Sequence, residues 1–139
     1  MNKYFTIGIV VVALLVGGVV YKKSFQKKVD APITTGVVKE FTVKAAKDKW
    51  DFLPKDITVN RGDKIVMTVV NEDSYDHGIA IDGFGVSQRM PANSTIKLEF
   101  VATQAGEFPY YCSVPCGEGK VEGKKRTHFD MIGKVIVKG

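Results

Sequence analysis

A chain of 139 residues, 45% hydrophobic and 25% charged, has room for one small domain with a core. Its two cysteines are too few for a disulfide scaffold, and it has no low-complexity tract of the kind that keeps a chain disordered. The net charge of +5 does not describe a basic domain: from Ala31 onward fifteen Lys and Arg stand against fourteen Asp and Glu, which leaves a nucleic-acid-binding face without support.

The surplus comes from Lys3, Lys22, Lys23, Lys27 and Lys28, which flank an uncharged stretch at residues 5–21, FTIGIVVVALLVGGVVY. At 1.5 Å per residue a helix of that length reaches roughly 25 Å, the lower end of what a bilayer core requires. It lacks the polar residue every third or fourth position that a soluble amphipathic helix shows. Residues 1–21 therefore read as a membrane anchor or signal segment. No Ala-x-Ala cleavage site follows it, which favours an uncleaved single-pass transmembrane helix. Residues 22–34 read as a polar linker, and 35–139 as one domain. By lysine count alone, the positive-inside rule would keep that domain in the cytoplasm.

From Phe41 the pattern has period two. Phe41 and Val43, Ile57 and Val59, then Ile65, Met67 and Val69, then Ile96, Leu98 and Phe100, and finally Val135 and Val137 alternate with polar neighbours over strand-length runs. Arg61-Gly62-Asp63, Pro91-Ala92-Asn93-Ser94 and Gln104-Ala105-Gly106 mark turns between them. No segment after the first carries a sustained helical stripe. Short strands at this spacing predict an all-β, antiparallel Greek-key sandwich or barrel, and Trp50 reads as core or sheet-packing material.

The only two cysteines, Cys112 and Cys116, fall close to His128 and Met131, and the only other histidine, His77, lies far upstream. Thiolate, imidazole and thioether together select copper over hard cations, and zinc seldom takes a methionine. Cys112-Ser-Val-Pro-Cys116 is short enough that one tight loop must present both sulfurs to one point. His128-Phe-Asp-Met131 leads into the following strand, and His77, at the end of a strand, would arrive from a neighbouring one. A short-loop disulfide or a redox dithiol is the plain alternative for the cysteines, a core role for Met131, and a solvated loop for Lys124-Lys125-Arg126.

From about Trp50 to Gly139 the chain resembles the cupredoxins, and within them the CuA copper domain of cytochrome c oxidase subunit II. The resemblance is carried by Phe52-x-Pro54, Asn60-x-Gly62-Asp63, Asn71-x-Asp73 before His77, and the strand from Gly106 to Tyr111. Its strongest part is Cys112-Ser-Val-Pro-Cys116-Gly117 with His128-x-x-Met131. It implies a dinuclear copper site in which Cys112 and Cys116 bridge two ions, His77 and His128 are terminal imidazoles, Met131 is a weak thioether and Val114 donates its backbone carbonyl. Three departures accompany it, one being that oxidase members have two membrane helices and an aromatic-rich segment before the domain, where this chain is expected to have one helix and has only Trp50. The family places the second histidine four residues after the second cysteine, and here it follows twelve residues after, with a Gly-rich charged insertion expected to loop out as an exposed hairpin. Val114 also stands where oxidase members carry a glutamate.

The function so implied is single-electron transfer with no bond chemistry. The redox partner would be a cytochrome or copper protein, and the chain could be a relative or subunit of an oxidase. Copper storage or delivery and a mononuclear cupredoxin are the alternatives. Because copper carriers of this family work on the outer side of the membrane, the resemblance outweighs the lysine count and places the domain on the periplasmic or extracellular side.

Overall fold

The computed structural model describes Asn2 and residues 36–139. The expected anchor and linker, apart from Asn2, lie outside the described residues, and among those described no helix is long and apolar enough to cross a membrane.

Eleven strands form among the described residues: β1 Val38–Ala45, β2 Phe52–Leu53, β3 Asp56–Asn60, β4 Lys64–Asn71, β5 His77–Ile81, β6 Val86–Met90, β7 Thr95–Val101, β8 Gly106–Tyr111, β9 Glu118–Val121, β10 Lys124–Thr127 and β11 Ile132–Lys138. They make a four-stranded sheet in the order β2-β1-β4-β7, a five-stranded sheet in the order β3-β11-β8-β5-β6, and a separate β9-β10 ribbon. The period-two runs become strands because each can bury alternate residues. Val43, Ile65, Met67, Val69, Leu98 and Phe100 of the first sheet share one core with Ile57, Val59, Ile79, Tyr110, Val135 and Val137 of the second. The result is an all-β sandwich, as the sequence predicts.

Two features depart from the expectations. The sandwich is not purely antiparallel, since β1 runs parallel to β4 and β11 parallel to β3; alternation reports which face is buried and carries no information on strand direction. His77 begins a strand rather than ending one. Strand β5 has all five residues buried, so it shows no alternation in sequence. The turn at Arg61-Gly62-Asp63 forms as expected, with the Asp63 carboxylate accepting the Asn60 N–H at 2.9 Å.

The topology gathers one end of the five-stranded sheet into a site. Strand β8 pairs antiparallel with β11, Tyr111 opposite Ile132, and with β5, Tyr111 opposite Ala80. The residue after β8, the residue before β11 and the first residue of β5 are Cys112, Met131 and His77, so three chain-distant donors converge without a long loop.

Candidate metal centre

His77 is fully buried. Its Nε2 lies 2.8 Å from Asp73 Oδ2 and its Nδ1 faces Cys112 Sγ at 3.7 Å. The carboxylate at Nε2 fixes the ring with Nδ1 facing the sulfur, the arrangement by which metal-binding histidines are oriented. Asp73 is itself fixed, taking the Asp48 N–H on its other oxygen at 2.7 Å. Asn71 braces the turn between β4 and β5: its side-chain NH2 lies within 2.9–3.2 Å of the carbonyls of Tyr75, Met90 and Pro91, and its carbonyl accepts from the Asp73 N–H.

The two thiols are free and buried, with Sγ atoms 3.4 Å apart. Cys112 Sγ lies 3.1 Å from the Val114 carbonyl oxygen, and Cys116 Sγ lies 3.6 Å from the sulfur of the fully buried Met131. The Cys112 N–H donates to the Met131 carbonyl at 3.1 Å, which joins the cysteine loop to the start of β11. Gly78 permits the approach on the other side, because a Cβ there would run into Ser113 and Val114. One Nδ1 or Nε2 and the two Sγ atoms of His77, Cys112 and Cys116 all lie within 4.8 Å of one another.

The electrostatics are those of a thiolate site. Burial opposes ionisation of Cys112, but hydrogen bonding to His77 and to the backbone of Gly78 and Val114 outweighs it and holds this thiol below its ordinary pKa. Burial pushes Cys116 up, and neighbouring Cys112 pushes it further, so in the absence of metal the pair ionises one sulfur before the other. Burial likewise works against a charged His77, while Cys112 and Asp73 on its two sides raise its pKa.

The structure thus brings together five of the six residues singled out in sequence: His77, Cys112, Val114, Cys116 and Met131. His128 lies outside the tight group. It opens a short 3-10 turn, His128–Asp130, that is capped by the Thr127 hydroxyl and the Asp130 carboxylate. Its backbone N–H donates to the Gly117 carbonyl at 3.2 Å, so the inserted segment leaves the cysteine loop and returns to it. The insertion is the β9-β10 hairpin, turning at Glu122-Gly123 with both residues at positive φ, the signature of a two-residue type I′ turn. His128 Nδ1 is buried with no hydrogen-bond partner.

These donors fit copper. Two thiols, a thioether and an oriented imidazole form a soft set, with a carbonyl oxygen beside it. A buried ring nitrogen without a partner is costly unless something accepts its lone pair. Three further residues support the site in ways the sequence did not assign. Asp73, seen in sequence only as part of the Asn71-x-Asp73 motif, orients His77, and the Asp48 backbone N–H, 25 residues away, holds Asp73. Trp50, taken as packing material, is half-buried beside the site and donates its indole N–H to the Cys116 carbonyl at 3.2 Å.

Comparison with known proteins bears on the family and the fold. Over 86 residues the chain is 30% identical to nitrous-oxide reductase of Stutzerimonas stutzeri, a match covering 60% of this chain and 12% of that protein's length. Auracyanin A, a "blue" copper protein from Chloroflexus aurantiacus, superposes with a TM-score of 0.58 at 16% identity, over 73% of this chain and 99% of that one. A chain of a heme-copper terminal oxidase dimer superposes with a TM-score of 0.58 at 17% identity, over 98% of this chain and 97% of its own. The model of the cupredoxin-like domain matches residues 10–123, ending before His128 and Met131. With that match over most of its length and a soft donor cluster at one end of the sandwich, the chain belongs to the cupredoxin-like family.

Proposed function

We propose that this protein is a membrane-anchored one-electron carrier with a dinuclear, CuA-like copper site. The observation that carries the reading is the pair of thiols 3.4 Å apart with a different donor beyond each sulfur: His77 and the Val114 carbonyl on the Cys112 side, Met131 on the Cys116 side. A mononuclear blue site uses a single thiolate with two imidazoles and a weak axial ligand. It would leave the second buried sulfur without a role. Two thiolates set between separate outer donors suit two ions that share them.

Bound copper would supply a one-electron couple, accepting an electron from a reduced donor and passing it to an oxidised acceptor. The chain's own work is to keep the donors still. His77 is held by Asp73, Cys112 is tied to Met131 through the backbone, and all three ligand-bearing segments start or end on neighbouring strands. A site fixed on rigid elements changes little between oxidation states. In this reading His128 and its unpartnered Nδ1 serve as the second imidazole.

The proposed location is the outer face of the membrane, with residues 1–21 as the anchor, and the proposed partner is a cytochrome or copper protein. The hairpin cations favour an acidic partner surface. Lys125 pairs with Glu118, and Arg126 lies near Asp51 and Asp130, so Lys120 and Lys124 are the hairpin cations without an ion pair among the described residues.

Metal counting with electron paramagnetic resonance tests the assignment. Two coppers per chain and hyperfine splitting from two nuclei are expected; one copper with single-nucleus splitting promotes the mononuclear reading. Copper that exchanges freely with a chelator and shows no reversible potential points instead to storage or delivery.

A further inference from the structure

Trp50 has a φ of +47°, in the left-handed region that bulky side chains avoid. Such a conformation persists when its surroundings over-determine it, and here they do. The indole N–H donates to the carbonyl of Cys116. The ring lies directly on Gly119 of β9, where a Cβ would overlap it. It also stacks on Tyr75 at 6.0 Å, and Tyr75 packs against the ring of His77 at 5.1 Å. The next residue, Asp51, reaches Arg126 at 4.0 Å. Gly119 and Arg126 are cross-strand partners in the hairpin, so residues 50 and 51 hold both of its strands at one level.

We propose that Trp50 is a positioning residue: its indole clamps the base of the inserted β9-β10 hairpin to the Cys116 carbonyl, fixing the ligand loop and the return of the chain to His128. The inference rests on the copper-site reading for its consequence at the metal, though the clamp itself does not depend on it. The insertion separates His128 from Cys116 by eleven intervening residues, and a flexible excursion of that length would deliver the imidazole over a wide range of positions. A ring wedged between the loop carbonyl and the hairpin removes that freedom.

The test uses the full-length chain with Trp50→Phe, which keeps an aromatic ring and loses the N–H, and Gly119→Ala, which displaces the ring from an exposed hairpin outside the core. In the metal-free chain, amide hydrogen exchange in residues 117–128 should speed up about tenfold in both variants. After copper loading, affinity should fall by about 10-fold or more, as for other residues that orient ligands, and the paramagnetic spectrum and reduction potential should shift. Wild-type exchange rates, or a lower melting temperature with unchanged spectrum, potential and affinity, overturn the proposal by reducing Trp50 to packing. If Trp50→Phe does not fold, Gly119→Ala decides alone. A wild-type chain that takes up no copper overturns the site reading, while the exchange rates still decide whether Trp50 clamps the hairpin.

Discussion

At the residue scale, the site depends on how each donor is aimed. Cys112 and Cys116 are interchangeable in composition but not in surroundings, since one is flanked by an imidazole and the other by a thioether. If both bridge, Cys112→Ser and Cys116→Ser should each abolish the two-copper spectrum. Met131→Leu should retain binding and move the potential, because a long, weak ligand tunes more than it holds; cyclic voltammetry distinguishes these outcomes. Asp73 orients the ring of His77 through its Nε2. Asp73→Ala should weaken copper by roughly 10- to 100-fold in a competitive chelator titration, with the isosteric Asn substitution falling between. Asn71 sets its amide NH2 among three carbonyls at a position 1% exposed. Its replacement by Ala should lower stability to urea by about 3 kcal/mol, since buried acceptors are stranded.

At the element scale, the β9-β10 hairpin is an appendage whose two ends meet. The Gly117–His128 backbone hydrogen bond closes it, and its residues are exposed or half-buried, so it contributes little to the core. Replacing residues 120–125 with a two-residue Gly-Ser bridge leaves the Gly119–Arg126 pair on Trp50 and Asp51 and should preserve the copper spectrum. Loss of the spectrum from a folded variant would show that the hairpin's outer half supports the site. Strand β5 is the opposite case. Every residue from His77 to Ile81 is buried, and Ile79→Ala should cost about 2–5 kcal/mol by opening a cavity beneath the site.

At the scale of the whole molecule, the sandwich does not depend on metal for its cohesion. The core unites Val43, Ile65, Met67, Ile57, Val135 and others far from the cysteine loop, unlike small metal-folded domains that have no such core. Removing copper with a strong chelator should lower the melting temperature by mass action while leaving the far-ultraviolet dichroism and a cooperative transition in place. The charge distribution makes a separate prediction. With Lys125 paired to Glu118 and Arg126 near Asp51 and Asp130, the proposed steering of an acidic partner would fall to Lys120 and Lys124. Replacing both by Ser should flatten the salt dependence of electron transfer from an acidic donor in stopped flow and leave that of a basic donor nearly unchanged. Equal salt slopes for the two donors in the unmodified protein would remove the steering role.

The sequence by itself determined the β class, the principal alternating strands, the turns between them and the soft-donor residues. Each of these is written locally, in period-two burial, in Gly and Pro at turns, and in a chemistry that Cys, His and Met share with few other residues. The hairpin was also legible, because three glycines among mixed charges cannot form a core. Only the tertiary structure decided which strands run parallel, that His77 opens a strand rather than closing one, and which side chains support the donors. Alternation names a face but not a neighbour, and a wholly buried strand such as β5 has no alternation to read. Asp73, Asp48 and Trp50 act through hydrogen bonds to groups 4, 25 and 66 residues away in the chain. The longer of those contacts exist only once the sheets have packed, and residue type alone marks none of them: an aspartate before a turn and a tryptophan before a strand look the same whether or not a metal site lies beside them.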